Sequence, residues 1–209
     1  MRVLAIMFFA VAVFNCVGCS IEKPTASQQE SKSSSGWSLV AEDTFNPTQQ
    51  LQQKIAVAAR EALFERLMKR LAAVVETEGP AAAIAVCQSE APTIAQAVGH
   101  EKNVRIGRTS DKLRNSKNQP PEWAVSVLKD RPTQAVFLTH PDGRFAALLP
   151  VRLKAQCLTC HGPIESIPMD VRQALLQRYP EDRAIGYAEG DLRGWFWVEV
   201  PKPPAETGG

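Results

Sequence analysis

From Asn46 onward the chain carries apolar residues at helical spacing: Leu51, Ile55, Ala58 and Ala62, then Leu63, Leu67, Leu71, Val74 and Val75. Residues that return to one face every three or four positions predict a long amphipathic helix. Asn46 supplies an N-cap, and Pro47 fits the first helical position, where its missing N–H costs nothing. Gly79-Pro80 ends this helix. Pro80 opens a second, shorter one through Ile84, Val86 and Cys87, which Pro92 kinks or restarts and which runs out near Gly99. There the period changes to two. Val104 and Ile106 point inward and Arg105 and Gly107 outward in a short strand that ends at Thr109. Ser110 to Gln119 is a polar loop, and Pro120-Pro121 starts a helix through Trp123, Val127 and Leu128 that Arg131-Pro132 stops. Gln134 to His140 and Arg144 to Leu153 predict a hairpin around Pro141-Asp142-Gly143. Pro168 to Tyr179 predicts a helix, 180–191 a loop, and Arg193 to Val200 the last strand. Helices followed by mostly antiparallel strands predict a mixed α+β domain around a small sheet.

The N-terminus has a different pattern. Met1-Arg2 is followed by an almost wholly apolar run, Val3 to Val13, too short to span a bilayer comfortably and of the length of a signal-peptide core. Small residues then precede a cysteine in Cys16-Val17-Gly18-Cys19-Ser20, which resembles the lipobox of bacterial lipoproteins, with Cys16 where Leu is usual. Residues 1–18 are therefore expected to be a cleaved signal and Cys19 the acylated N-terminus, anchoring the protein to a bacterial membrane on its extracytoplasmic side. Residues 19–44 are expected to be a polar tether rich in Ser and Gln, residues 45–202 the folded domain, and residues 203–209 a frayed tail.

Composition narrows the class. A hydrophobic fraction of 44 % supports a real core, and a net charge of +2 with interspersed signs leaves no footprint for nucleic acid.

The chemistry is concentrated in Cys157-Leu158-Thr159-Cys160-His161. Two cysteines separated by two residues and followed by histidine form the attachment pattern of a c-type haem, each thiol taking one vinyl group and the imidazole binding iron. The rival readings are weaker: no second Cys-x-x-Cys pair completes a zinc site, no βαβ unit surrounds the motif as in a thioredoxin-like pair, and a plain disulfide leaves His161 without a role. The cysteines are five in all. Two belong to the export signal and two to the motif, which leaves Cys87, on one helical face with Ala83 and Ile84. For the iron face opposite His161 the candidates are Cys87, His100, His140, Met68 and Met169, or an open position; a buried free cysteine can equally be a small core residue.

Several stretches together resemble the Tll0287-like haem family. They are Ala85-Val86-Cys87 with Ala91-Pro92; Arg105-Ile106-Gly107-Arg108-Thr109-Ser110 with Arg114-Asn115 and Asn118; and Cys157-Leu158-Thr159-Cys160-His161-Gly162. Tyr179-Pro180, Asp182, Gly186-Tyr187 and Gly190-Asp191-Leu192-Arg193-Gly194 complete the set. Ser116 stands where the family often has Pro. The resemblance implies a PAS-like fold, a small antiparallel sheet flanked by helices, and an axial pair of His161 with a thiolate from Cys87. Arg105, Arg108 and Arg114 are candidates to bind the haem propionates through charge-assisted bonds, surface arginines being the plain alternative.

These readings predict one covalent haem c and no enzymatic turnover, because a Cys87 ligand closes the iron position that haem enzymes leave open. They favour low-potential electron transfer with an unidentified redox or signalling partner. The alternative is a redox or gas sensor acting by ligand exchange at Cys87.

Overall fold

The computed structural model describes residues 36–204. The expected signal sequence and Cys19 lie outside the described residues. Within them the chain forms a five-stranded antiparallel sheet in the order β1-β3-β4-β5-β2, comprising β1 (Ser38–Leu39), β2 (Arg105–Thr109), β3 (Val136–Thr139), β4 (Phe145–Arg152) and β5 (Leu192–Val200). The helices are α1 (Pro47–Glu78), α2 (Pro80–Ala85), α3 (Ala91–Lys102), α4 (Glu122–Leu128), the short α5 (Leu158–His161) and α6 (Met169–Arg178). This is the expected α+β architecture with its long N-terminal helix.

Helix α1 starts where the sequence says. Asn46 Oδ1 accepts from Gln49 N–H at 2.9 Å, and Gln49 Oε1 accepts from Asn46 N–H at 3.0 Å, a reciprocal cap with Pro47 at the first position. Its small buried residues Ala56 and Ala59, with Leu63 and Leu67, let it lie close against Phe145, Ala147 and Leu149 of β4 and Phe196 and Val198 of β5. Fully burying a side chain such as Leu63 contributes about 2 kcal/mol. The opposite sheet face is covered by α4, through Trp123 and Ala124 against Leu138, Ala146, Leu148 and Trp195. Both faces are thus apolar, and alternation along β4 and β5 sorts residues between two cores instead of between core and water.

Trp37 is buried in this second core, and Ser38–Leu39 pairs with β3. The packed structure therefore begins ahead of residue 45, the boundary read from composition. A two-residue strand has no periodicity to reveal it.

Past the sheet, α1 continues against α2 and the residue after it through Leu71, Val74, Ala82, Ala83 and Val86, and Ile84 of α2 packs on Ile167 and on Val171 and Leu175 of α6. The join between α2 and α3 is a π turn over Val86–Glu90, in which Ala91 N–H reaches Val86 O five residues back. Pro92 explains the widening. It has no N–H to give, and its ring would press on the carbonyl four residues earlier in a regular helix. Helix α3 then runs past Gly99 to Lys102, because the left-handed cap is Asn103, at φ 52°, with Val104 N–H returning to Gly99 O at 2.9 Å. Gly99 has a different use: a Cβ there would stand 2.8 Å from Val104 O.

Candidate haem-binding site

Strand β4 hands the chain to the motif through a 3₁₀ turn at Ala155–Cys157, and α5 carries Leu158 to His161. Two loops fasten this segment. Gly186 N–H donates to Gly162 O at 2.8 Å and Tyr187 N–H to His161 O at 3.0 Å, while Arg183 N–H ties the same loop to Leu113 O at 3.0 Å. Cys157 and Leu158 pack against Leu153, Ala184 and Tyr187, and Cys160 joins the α2–α6 core.

His161 has one ring nitrogen engaged. Nδ1 lies 2.7 Å from Ala184 O. A carbonyl only accepts, so Nδ1 carries the proton and Nε2 keeps its lone pair, the arrangement by which a ligating histidine is oriented from behind. Burial, followed by the Arg114 and Arg193 guanidinium groups, holds the imidazole well below its ordinary pKa of 6.5, so it is neutral. The Tyr187 ring stands edge-on to it at 6.4 Å.

Cys87 sits in the π turn and is a free, half-buried thiol, as are Cys157 and Cys160. Burial pushes its pKa up, against the pull of Arg108, Arg114 and Arg193. The same three arginines act on His161, and Cys160 in turn feels Cys87. Cys87 thus lies within electrostatic range of the same arginines as His161, 74 positions further along the chain. The π turn that presents Cys87 is held on both sides. Arg70 of α1 grips Glu90 through two bonds of 2.7 and 2.9 Å, and Gln88 exchanges bonds with Arg178 at the end of α6, at 2.9 and 3.0 Å.

The other candidates for the second iron position lie elsewhere. His140 Nδ1 is 2.8 Å from Asp142 in the β3–β4 turn, and its ring packs on Trp37 on the α4 side of the sheet. His100 is exposed at the end of α3, Met169 is 68 % exposed, and Met68 is half-buried on α1.

The three arginines expected at the propionates separate. Arg105 lies 71 % exposed, its Nη1 donating to Glu199 at 2.7 Å; Trp123 Nε1 donates to the same carboxylate at 2.8 Å, which places the pair on the α4 face, away from Cys87. Period-two alternation puts Arg108 on the opposite face, with Ile106, and its charge acts on Cys87 from there. Arg114 is inside but already engaged. Nε donates to Asp182 at 3.0 Å, and Nη2 donates to Cys160 O and to Ala184 O, so it braces the motif against the loop behind it.

Three participants entered the sequence reading only as members of the stretches that carry the resemblance, with no role given to them. Asp182 holds Arg114 and also accepts from Ala184 N–H at 2.8 Å, which sets the carbonyl that orients His161. Tyr187 buries its ring against the motif. Arg193 is the least expected, since alternation from Trp195 and Trp197 would send it to the α4 face. A bulge intervenes: Val151 pairs with Gly194 but Arg152 with Leu192, leaving Arg193 unpaired. Gly194 permits this at φ 154°, where a Cβ would come within 2.3 Å of Thr109 O. A bulge of this kind re-aims a side chain, and Arg193 lies over the Tyr187 ring, which stands edge-on to His161.

Residues 15–201 match the Tll0287-like family. The chain belongs to the Tll0287-like family. Among solved structures the fold is similar to that of the cyanobacterial haem protein Tll0287, with a TM-score of 0.54 and 24 % identity, covering 77 % of this chain and 99 % of that one. No curated protein matches. The family's stretches are the ones that meet at the site: the π turn with Cys87, the loop after β2 with Arg114, the motif, and the 182–194 segment.

The donor set fits a c-type haem. Two free thiols stand one helical turn apart beside a neutral imidazole whose Nε2 is available, and a third thiol shares its electrostatic surroundings. Among the described residues, no group of three or more His, Cys, Asp and Glu side chains closes on a point that could hold a metal ion directly. The residues suit a group inserted among them better than a bare metal.

Proposed function

We propose that this protein binds one haem covalently through Cys157 and Cys160, with His161 and Cys87 as axial ligands, and that it works as a low-potential one-electron carrier tethered to the extracytoplasmic side of a bacterial membrane by lipid on Cys19. The observation that carries the reading is the orientation of His161: its Nδ1–H is committed to Ala184 O, so Nε2 is free for iron beside the two thiols. The membership of the family and the likeness to a haem protein support it. Bound there, a haem supplies one-electron chemistry. A thiolate ligand favours ferric iron, hence the low potential, and two protein ligands leave no position for a substrate, which argues against an enzyme. Among the described residues no helix is long and apolar enough to cross a membrane, so attachment rests on the N-terminal signal.

The second reading, a sensor that exchanges the Cys87 ligand, draws on one feature, the π turn on which Cys87 sits, a geometry frequent at functional sites. Mature protein made with a cytochrome c maturation system separates the cases. Its reduced pyridine haemochrome reports thioether attachment; extractable haem, or none, refutes the proposal. Carbon monoxide added to the reduced protein leaves a carrier's spectrum unchanged and converts a sensor's. An unchanged mass of the mature N-terminal residue, without acyl chains, removes the lipid anchor.

A further inference from the structure

An arginine is costly to bury without a counter-ion. Its guanidinium keeps its proton, so lost hydration has to be offset by negative charge. Four arginines around the sheet have such a partner: Arg105 has Glu199, Arg114 has Asp182, Arg131 has Asp111 and Arg144 has Asp142. Arg108 and Arg193 differ. Both are half-buried, burial lowers the proton affinity of each, and among the described residues neither forms an ion pair.

Arg193 is held, but not satisfied. Nη1 donates to Lys112 O at 3.1 Å and the guanidinium lies over the Tyr187 ring, 5.7 Å from its centroid. These contacts orient the fork, and among the described residues Nε and Nη2 have no acceptor. Arg108 has no side-chain hydrogen bond among the described residues, and the two groups sit close enough to repel each other. Among the described residues Arg114 has Asp182 as its counter-ion, while Arg108 and Arg193 have none. A haem carries two propionates. The bulge and Gly194 bring Arg193 to this place, and the carbonyl it frees, Arg193 O, accepts from Ser110 Oγ at 2.8 Å.

We infer that Arg193 and Arg108 form a carboxylate clamp for the haem propionates, with Arg105 outside it and Arg114 acting as a brace. This rests on the haem reading above. The clamp recognises carboxylate, and the covalently attached haem brings that group to it.

The test uses haem-loaded protein carrying Arg193→Gln, Arg193→Lys or Arg105→Gln. Arg193→Gln should keep its haemochrome and Soret position, because the guanidinium is not an iron ligand, while its midpoint potential falls. One charge removed at roughly 10 Å, at an effective dielectric constant near 20, corresponds to about a tenfold shift of the reduction equilibrium toward ferric iron. Arg193→Lys should recover most of the potential but keep altered propionate vibrations in resonance Raman spectra, since lysine restores charge without the planar fork. Arg105→Gln should change neither. The lysine variant keeps the Raman readout available if the glutamine variant does not fold. Propionate vibrations and potentials equal to wild type in the Arg193 variants would overturn the clamp. So would a saturable response of the wild-type potential to acetate that disappears in Arg193→Gln, which would seat a free carboxylate there instead. A wild-type protein without covalent haem overturns the haem reading itself, and the haemochrome reports that separately.

Discussion

Replacing Arg114 by leucine deletes the cation of a buried pair whose side chains are 7 % and 9 % exposed. The Asp182 carboxylate then stays in the interior without its partner, and the carbonyls of Cys160 and Ala184 lose a charged donor. Breaking a buried pair from one side costs about 3–5 kcal/mol, most of it the uncompensated charge. The lost bonds to the two carbonyls overlap with that figure, so a destabilisation of about 4 kcal/mol is expected. That is a large share of the 5–15 kcal/mol typical of a domain and corresponds to a fall in Tm of roughly 10 °C. Urea unfolding of the haem-loaded protein, followed in parallel by far-ultraviolet circular dichroism and by Soret absorbance, measures it. The double variant Arg114→Leu with Asp182→Leu should be more stable than Arg114→Leu alone, because no charge is left stranded. A loss below about 1 kcal/mol in the single variant, or a double variant no better than the single, would refute the role given to this pair.

Cys87→Ala should retain covalent haem but change its Soret and visible bands; a ferric spectrum identical to wild type would exclude Cys87 from the iron. Gly194→Ala forces a Cβ against Thr109 O in a backbone conformation that L-residues avoid, and should cost about 3 kcal/mol in urea unfolding; a wild-type midpoint would contradict the bulge geometry. Tyr179 has its pKa raised to about 12, first by burial and then by Cys87. The folded state keeps a proton that the unfolded chain releases near pH 10. Its contribution to stability is thus complete below pH 10 and is lost as the pH rises toward 12. Tyr179→Phe should lose less stability than wild type over that range, and parallel losses would show that Tyr179 is not responsible.

Local signals read well where one physical constraint dominated. Asn46-Pro47 announces a helix because both the side-chain acceptor and the missing N–H suit that position, and Pro141-Asp142-Gly143 between two apolar runs could be little other than a hairpin turn. The motif at Cys157 to His161 likewise declares its chemistry in five residues. What stayed hidden depends on long-range geometry. Which of Arg105 and Arg108 faces Cys87 follows from alternation once the strand is placed between two cores, yet a sheet covered on both sides gives no hydrophilic face to check it against. Arg193 defeats alternation altogether, because a bulge inserts one residue and turns the side chain over. Gly99 looks like a helix stop and is instead a close-contact residue, with Asn103 taking the left-handed cap. Asp182 and Ala184 matter through a carbonyl orientation, and nothing in residue type records that.

The π turn at Val86–Glu90 bears on how the chain tolerates changes of length. It holds one residue more than a regular helix would need between α2 and α3, as the reach from Ala91 N–H to Val86 O shows. Deleting Ser89 would take that extra residue out of the turn, and each residue in a helix turns the chain by about 100°. Everything before the deletion, Cys87 included, would then be rotated by that angle relative to α3. The position of this thiol is therefore set by the count of residues in the turn as much as by their identity, and a one-residue deletion that leaves every named side chain intact is enough to take Cys87 away from His161.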